Sequence, residues 1–137
     1  IEREGRFLFV EEEADGRRVL NQPAGHLDPG ESLVAACARE ALEETAHRFT
    51  PTALVGVYRW IYPPQDVTFL RFAFAGTIDG IETGRKLDQE IIATHWLTRG
   101  ELLGKSAMHR SPLVMRCVDD FLSGRRFPLD VLSAEFA

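Results

Sequence analysis

The chain has little sulfur: two cysteines, Cys37 and Cys117, and two methionines in 137 residues. The cysteines form no CxxC pair and no disulfide framework, which excludes a disulfide-stapled scaffold and a cysteine zinc site. Each falls within a helical pattern and reads as a buried thiol in a reducing, cytoplasmic compartment. Positive charge is not in excess. Sixteen Lys and Arg against 21 Asp and Glu give a net charge of −5, so a broad basic surface for extended nucleic acid is excluded. No apolar run is long enough to span a bilayer, and no stretch has the form of a secretory leader. Internal repeats, low-complexity tracts and linkers are absent. His47, His95 and His109 show no zinc-ligand spacing and read as ordinary surface or packed residues. A hydrophobic fraction of 45% and a charged fraction of 27% fit one globular domain over 1–137, expected as a monomer or small homo-oligomer.

What is present concentrates between residues 21 and 47, NQPAGHLDPGESLVAACAREALEETAH. Glu40, Glu43 and Glu44 stand at i, i+3 and i+4, so on a helix they share one face. Leu33, Ala36 and Cys37 fall on the same stripe two turns earlier. A stripe that should face the core therefore ends in three carboxylates. Such a group repels itself and loses hydration unless a cation compensates. Hard oxygen ligands in a tight cluster suit Mg²⁺, with Mn²⁺ as the alternative. The plain reading is a solvated acidic helix end, and it is weakened because the acids line up with the apolar residues. Gly25 to Gly30 is a turn-rich loop before the helix, and Glu31 and Ser32 open it.

Gly25, five residues, Glu31, seven residues, Arg39-Glu40-Ala41, one residue, then Glu43-Glu44 resembles the Nudix box of hydrolases that cleave diphosphates linked to another group. Every charged position of the box is filled. Ala46 stands where the box has glycine and His47 where it has an aliphatic residue. Asn21-Gln22-Pro23-Ala24-Gly25-His26, Phe69-Leu70-Arg71-Phe72, Arg110-Ser111-Pro112-Leu113-Val114 and Ser123-Gly124-Arg125-Arg126-Phe127-Pro128-Leu129 are similar to the NudJ-type branch of that family. The resemblance implies hydrolysis of nucleoside di- and triphosphates and thiamine-type pyrophosphates with release of orthophosphate. It also implies metal ligation by the Gly25 carbonyl and by Glu40, Glu43 and Glu44. Family members carry a further strand before the point matched by Ile1, so it implies that a short N-terminal piece is absent.

Read in order, Arg6–Glu11 and Arg17–Gln22 form a hairpin across Asp15-Gly16. The helix runs from about Ser32 to Thr45, and Pro51 closes its exit. Strands follow over Thr52–Tyr62 and Val67–Ile78. The second is nearly continuous in apolar residues, so it is expected to be central and covered on both sides. A polar loop fills 79–88, a short strand ends at Trp96, and Thr98-x-x-Glu101 is a capping box. Ser111, Pro112 and Gly124 bound the last helix. Strands flanking two main helices imply an α/β sandwich with a mixed β-sheet, in agreement with the α/β/α sandwich of the Nudix family.

Diphosphate hydrolysis requires neutralising a polyanion and delivering water in line with the leaving oxygen. Arg39 lies one turn before Glu43 and can orient its carboxylate. Glu31 reads as holding loop and helix in register. The base that activates water is Glu40 or an acid on a later loop, with Glu90 the best candidate there. Gln22 and His26 flank the box and are placed to touch substrate. Trp60 and Phe69 offer aromatic faces to stack a ring, with plain core packing as the equal alternative. Arg71 sits in an apolar strand and needs an anionic partner, such as a phosphate. The alternatives are an ADP-ribose or oxidised-nucleotide pyrophosphatase and a non-catalytic nucleotide-sensing Nudix domain. Loss of box carboxylates would favour the sensor, and all are present. An RNA-processing hydrolase would carry a basic strip, which is not evident.

Overall fold

The computed structural model describes residues 1–133. Strand β1 (Glu2–Arg3), β2 (Arg6–Ala14) and β3 (Arg17–Asn21) lead into helix α1 (Leu33–Thr45). Strands β4 (His47–Tyr62), β5 (Val67–Ile81) and β6 (Ile91–Thr98) follow, and then helices α2 (Arg99–Leu103) and α3 (Leu113–Leu122). In the first sheet β2 is central. β6 runs antiparallel along one edge of it, and β1 and then β3 occupy the other. Asp15 and Gly16 both have positive φ, 52° and 75°, the mirror-image turn that a two-residue hairpin requires.

The sheet is buried on both faces because β2 is apolar at odd and even positions alike. Phe7 and Phe9 join Leu20, Leu97, Leu102, Val114 and Val118 in one core beneath α2 and α3. Leu8, Val10 and Val19 are buried on the opposite face. Glu12 belongs to that second face by strand alternation and lies within electrostatic reach of Glu44 on α1. The ladders between named strands are all antiparallel, and one isolated bridge, between Leu20 and His109, is parallel.

β4 and β5 form a separate two-stranded sheet with three register shifts. Two expectations are corrected here. Pro51 does not close the helix exit: α1 ends on Ala46 in the left-handed region (φ 60°), whose N–H donates to Leu42, and β4 begins at His47. Pro51 lies inside β4 opposite Gly76, at an irregularity where a missing N–H is tolerated. A Cβ at Gly76 would collide with the Thr50 carbonyl, so glycine lets the proline-bearing strand approach. Nor is β5 central. Its partner is β4, and Leu70 is 61% exposed. Its continuous apolar run arises from two half-covered faces instead of one enclosed strand, a distinction that hydropathy does not carry. Tyr58 Oη donates to Asp120 Oδ2 at 2.7 Å and fastens β4 to α3.

The caps hold the elements in place. Ser32 Oγ accepts from Ala35 N at 3.1 Å, and Thr98 and Glu101 close the capping box at α2. His47 is buried at the aliphatic position of the box, packed edge-on to Trp96 at 5.9 Å with Nδ1 donating to the Thr45 carbonyl. Ala46→Gly should raise stability by up to about 1 kcal/mol, because it removes a side chain from the left-handed region. Activity should stay near wild type. Thermal unfolding and turnover check this, and a large loss of activity would mean that the helix exit has a functional geometry of its own.

Candidate active site

The loop 22–31 folds back over α1 and is tied to it by the acids themselves. Ala24 N–H donates to Glu44 Oε1 at 2.8 Å. Gly25 lies so close to Glu40 that a Cβ there would overlap its carboxylate, which is why the loop carries glycine at that point. Arg39 binds the rest. Its Nε and Nη2 donate to the two oxygens of Glu31 at 3.0 and 2.6 Å, and Nη1 donates to Glu40 at 2.8 Å and to Glu43 at 3.1 Å. Nη2 also reaches the His26 carbonyl at 2.9 Å. Glu31 in turn accepts from Asp28 N at 2.8 Å, so it connects loop to helix. Hydrogen bonds from Arg39 hold the Glu31 carboxyl below the ordinary range.

The other carboxylates are shifted the opposite way. Burial pushes Glu40 up, and it pushes Glu44, which is 3% exposed, to about 8. Glu12, Glu40 and Asp88 repel Glu44 further. A second segment supplies two more acids. Asp88 N–H donates to the Glu43 carbonyl at 3.0 Å, and Asp88 is raised by burial and by Glu43 and Glu90. Oxygens of Glu40, Glu43 and Asp88 lie within 4.8 Å of one another, as do those of Glu44, Asp88 and Glu90. Asp88 is thus common to two carboxylate groups. Among the described residues Arg39 alone of the basic side chains pairs with this set, and it is shared among Glu31, Glu40 and Glu43. One buried and three half-buried acids, with Glu90 exposed beside them and so little neutralised, have the chemistry of a divalent-cation seat.

The opposite wall is basic and aromatic. Arg71 donates to Gln22 Oε1 at 3.0 Å and to Asn21 Oδ1 at 2.9 Å. Gln22 is held by its own bond to the Val114 carbonyl at 2.8 Å. The hydrogen-bond partners of Arg71 are therefore neutral among the described residues, so its charge is available to an incoming anion. Trp60 and Phe69 pair across the hairpin with centroids 5.4 Å apart, and His26 meets the Phe69 edge at 6.4 Å. Between the walls is a cleft of about 850 Å³, bounded by Glu44, Asp88, Glu90, Trp60, Arg71 and Arg110 among others.

Gly25, Gln22, His26, Glu40, Glu44, Phe69 and Glu90 also reach this cleft. Glu31, Arg39 and Glu43 stand behind its surface, although Glu43 joins Glu40 and Asp88. Three residues were missed. Asp88 reads as the end of a polar loop, and no pattern in the sequence singles it out. Glu12 is hidden in the run Glu11-Glu12-Glu13, where alternation does not say which acid turns inward. Burial raises its carboxyl, which Asn21 hydrogen-bonds. Arg110 lies in a stretch with no periodic signal. The remaining histidines serve packing: His95 meets Glu11 at 3.3 Å, and His109 Nε2 donates to the Leu102 carbonyl at 2.8 Å. Burial pushes Cys37 up to about 11, the behaviour of an inert thiol.

A loop and helix that bring carboxylates to one end of a cleft between two sheets are the plan of a Nudix hydrolase. The NUDIX domain model matches residues 1–117, and the chain belongs to that family and is a hydrolase. It is 39% identical over 132 residues to phosphatase NudJ of Shigella boydii and, equally, to phosphatase NudJ of Escherichia coli K12, covering 96% of this chain and 85% of each relative. A NUDIX hydrolase from Nitrosomonas europaea has the same fold at TM-score 0.95 and 47% identity, covering 98% of this chain and 91% of that one. MutT NUDIX hydrolase from Burkholderia pseudomallei shares the fold at TM-score 0.73 and 20% identity, covering 88% and 91%. No helix among the described residues is long and apolar enough to cross a membrane.

Proposed function

We propose that the protein is a Mg²⁺-dependent hydrolase, with Mn²⁺ as a substitute ion, of phosphoanhydride bonds in nucleoside di- and triphosphates and thiamine-type pyrophosphates, releasing orthophosphate. The observation that carries this reading is the pair of carboxylate groups joined at Asp88, facing Arg71 across the cleft. The likeness to phosphatase NudJ supports the phosphate-releasing form of the reaction.

Glu40, Glu43 and Glu44, with Asp88 and the Gly25 carbonyl, would hold the cation. Bound there, it would neutralise phosphate oxygens and lower the pKa of a water. Arg39 fixes the Glu40 and Glu43 carboxylates from behind, and Glu31 fixes Arg39. Arg71, oriented by Asn21 and Gln22, grips phosphate. Glu40 and Glu90 are the two carboxylates we propose as candidates to take the proton from water. Glutamine at each position distinguishes them, because the loss of the base removes the corresponding limb of the pH–rate profile.

A substrate panel with Mg²⁺, following orthophosphate against pyrophosphate, tests the reading. Several nucleoside di- and triphosphates and thiamine pyrophosphate should be hydrolysed within a modest range of kcat/KM. Grip on phosphate is indifferent to the organic group, whereas polar readout of that group would discriminate sharply. One compound such as ADP-ribose exceeding the rest by orders of magnitude would overturn the tolerant pocket.

A further inference from the structure

Arg110 has no part in the acid cluster and none in holding Arg71. Its backbone N–H donates to the Leu20 carbonyl at 2.9 Å, which fixes it beside the end of β3, where Asn21 closes the strand and Gln22 follows. Its guanidinium carbon stands 5.5 Å from the Trp60 ring centroid and 5.3 Å from that of Tyr62. A ring inserted between Arg110 and Trp60 would need two van der Waals separations, about 7–8 Å, so that face of Trp60 is already taken. The nearest carboxylate oxygen is Asp15 Oδ2 at 3.9 Å, and the Arg110 side chain is 19% exposed. The Asp15 carboxylate is engaged elsewhere: it accepts from Tyr62 Oη and from Gln65 Nε2. The half-enclosed guanidinium therefore lies against two rings and pairs with Asp15 at 3.9 Å, and it has no carboxylate oxygen at hydrogen-bond distance among the described residues. Glu12 lies within electrostatic reach of Arg71, Arg110 and Glu90, so the two arginines and the acids share one short span of the cleft.

We infer that Arg110 contacts the substrate: with Arg71, on the same cleft, it forms a two-guanidinium seat for a phosphate group, and Trp60 and Tyr62 act through Arg110 instead of stacking on the substrate ring. The planar fork of arginine carries five donors that suit phosphate oxygens, and contact with two rings and Asp15 holds the guanidinium while leaving part of that fork for a substrate. This rests on the phosphoanhydride reading above.

Two measurements test it. Calorimetric binding of imidodiphosphate, a non-hydrolysable pyrophosphate analogue without a ring, is made with Mg²⁺ for wild type, Arg110→Ala, Arg110→Lys, Trp60→Leu and the Arg110→Ala/Trp60→Leu double variant. Steady-state kinetics on ADP, GDP and thiamine pyrophosphate accompany it. Arg110→Ala should weaken imidodiphosphate about 10–100-fold, the loss of charge-assisted bonds. It should raise KM for all three substrates alike and change kcat less. Lysine should recover part of the loss. Trp60→Leu should act in the same direction whatever the ring, and the double variant should be no worse than Arg110→Ala alone. If Arg110→Ala does not fold by circular dichroism, the lysine variant carries the test. Unchanged imidodiphosphate binding in a folded Arg110 variant, or ring-dependent Trp60→Leu effects that add to those of Arg110, would overturn the inference. A wild type that hydrolyses none of the three substrates sinks the parent reading instead, and imidodiphosphate binding still decides the role of Arg110.

Discussion

Glu43→Gln and Glu44→Gln should each lower kcat by roughly two orders of magnitude or more while the fold survives. Each replacement keeps the volume and removes the negative oxygen that a cation needs. Calorimetry should show weaker Mg²⁺ binding in both variants. Glu44→Gln has a second signature that a merely structural acid would not produce. Burial raises the folded-state pKa of Glu44 to about 8 from the ordinary 4.5, so the metal-free fold favours the neutral carboxyl. The stability that comes with the proton is fully present below the ordinary value and is lost as pH rises through about 8. Glutamine cannot ionise, so it removes this loss, and the Ala24 N–H still finds an amide oxygen. Metal-free Glu44→Gln should melt several degrees above wild type at pH 9, with the difference narrowing towards pH 6. Turnover and melting temperature should thus move in opposite directions. A variant that is both inactive and destabilised at pH 9 would place Glu44 among structural acids.

Arg71→Ala should reduce kcat/KM by about 10–100-fold, or by more if its charge develops contacts only in the transition state, and by similar factors for every substrate. The side chain meets amide oxygens of Asn21 and Gln22, neither of which neutralises it. The cost of burying that charge is then offset when an anion arrives. Gln22→Ala should have a smaller effect in the same direction, because it frees one side of the guanidinium while leaving its charge. Losses with Arg71→Ala that differ widely between nucleotide and thiamine substrates would mean that Arg71 reads the organic group.

Much of this site is legible in the residues because it is local. Arg39 and three glutamates are placed by helical period, Gly25 and Glu31 by the turn-rich loop before it, and of the three-acid stripe Glu44 is buried while Glu40 and Glu43 are partly covered. The hairpins and the capping box at Thr98 are equally local. What was not legible depends on tertiary approach. Asp88 reaches the helix because its N–H bonds to the Glu43 carbonyl, a contact without a pattern in the sequence. Glu12 faces α1 because β2 happens to be buried on both faces, which three consecutive glutamates conceal. The exposure of β5 follows from having one strand partner, and an apolar run looks the same in a central strand. Pro51 gives no sign of its place inside β4, because proline next to a helix end signals termination, whereas here Gly76 opposite makes room for it.

Orthophosphate release from a nucleoside diphosphate by the metal-stripped wild-type protein tests the central claim most directly. Turnover should vanish in excess chelator, return when Mg²⁺ is restored, and stay absent in Glu43→Gln at the same Mg²⁺ concentration. Undiminished turnover in excess chelator would contradict a cation held by the helix carboxylates.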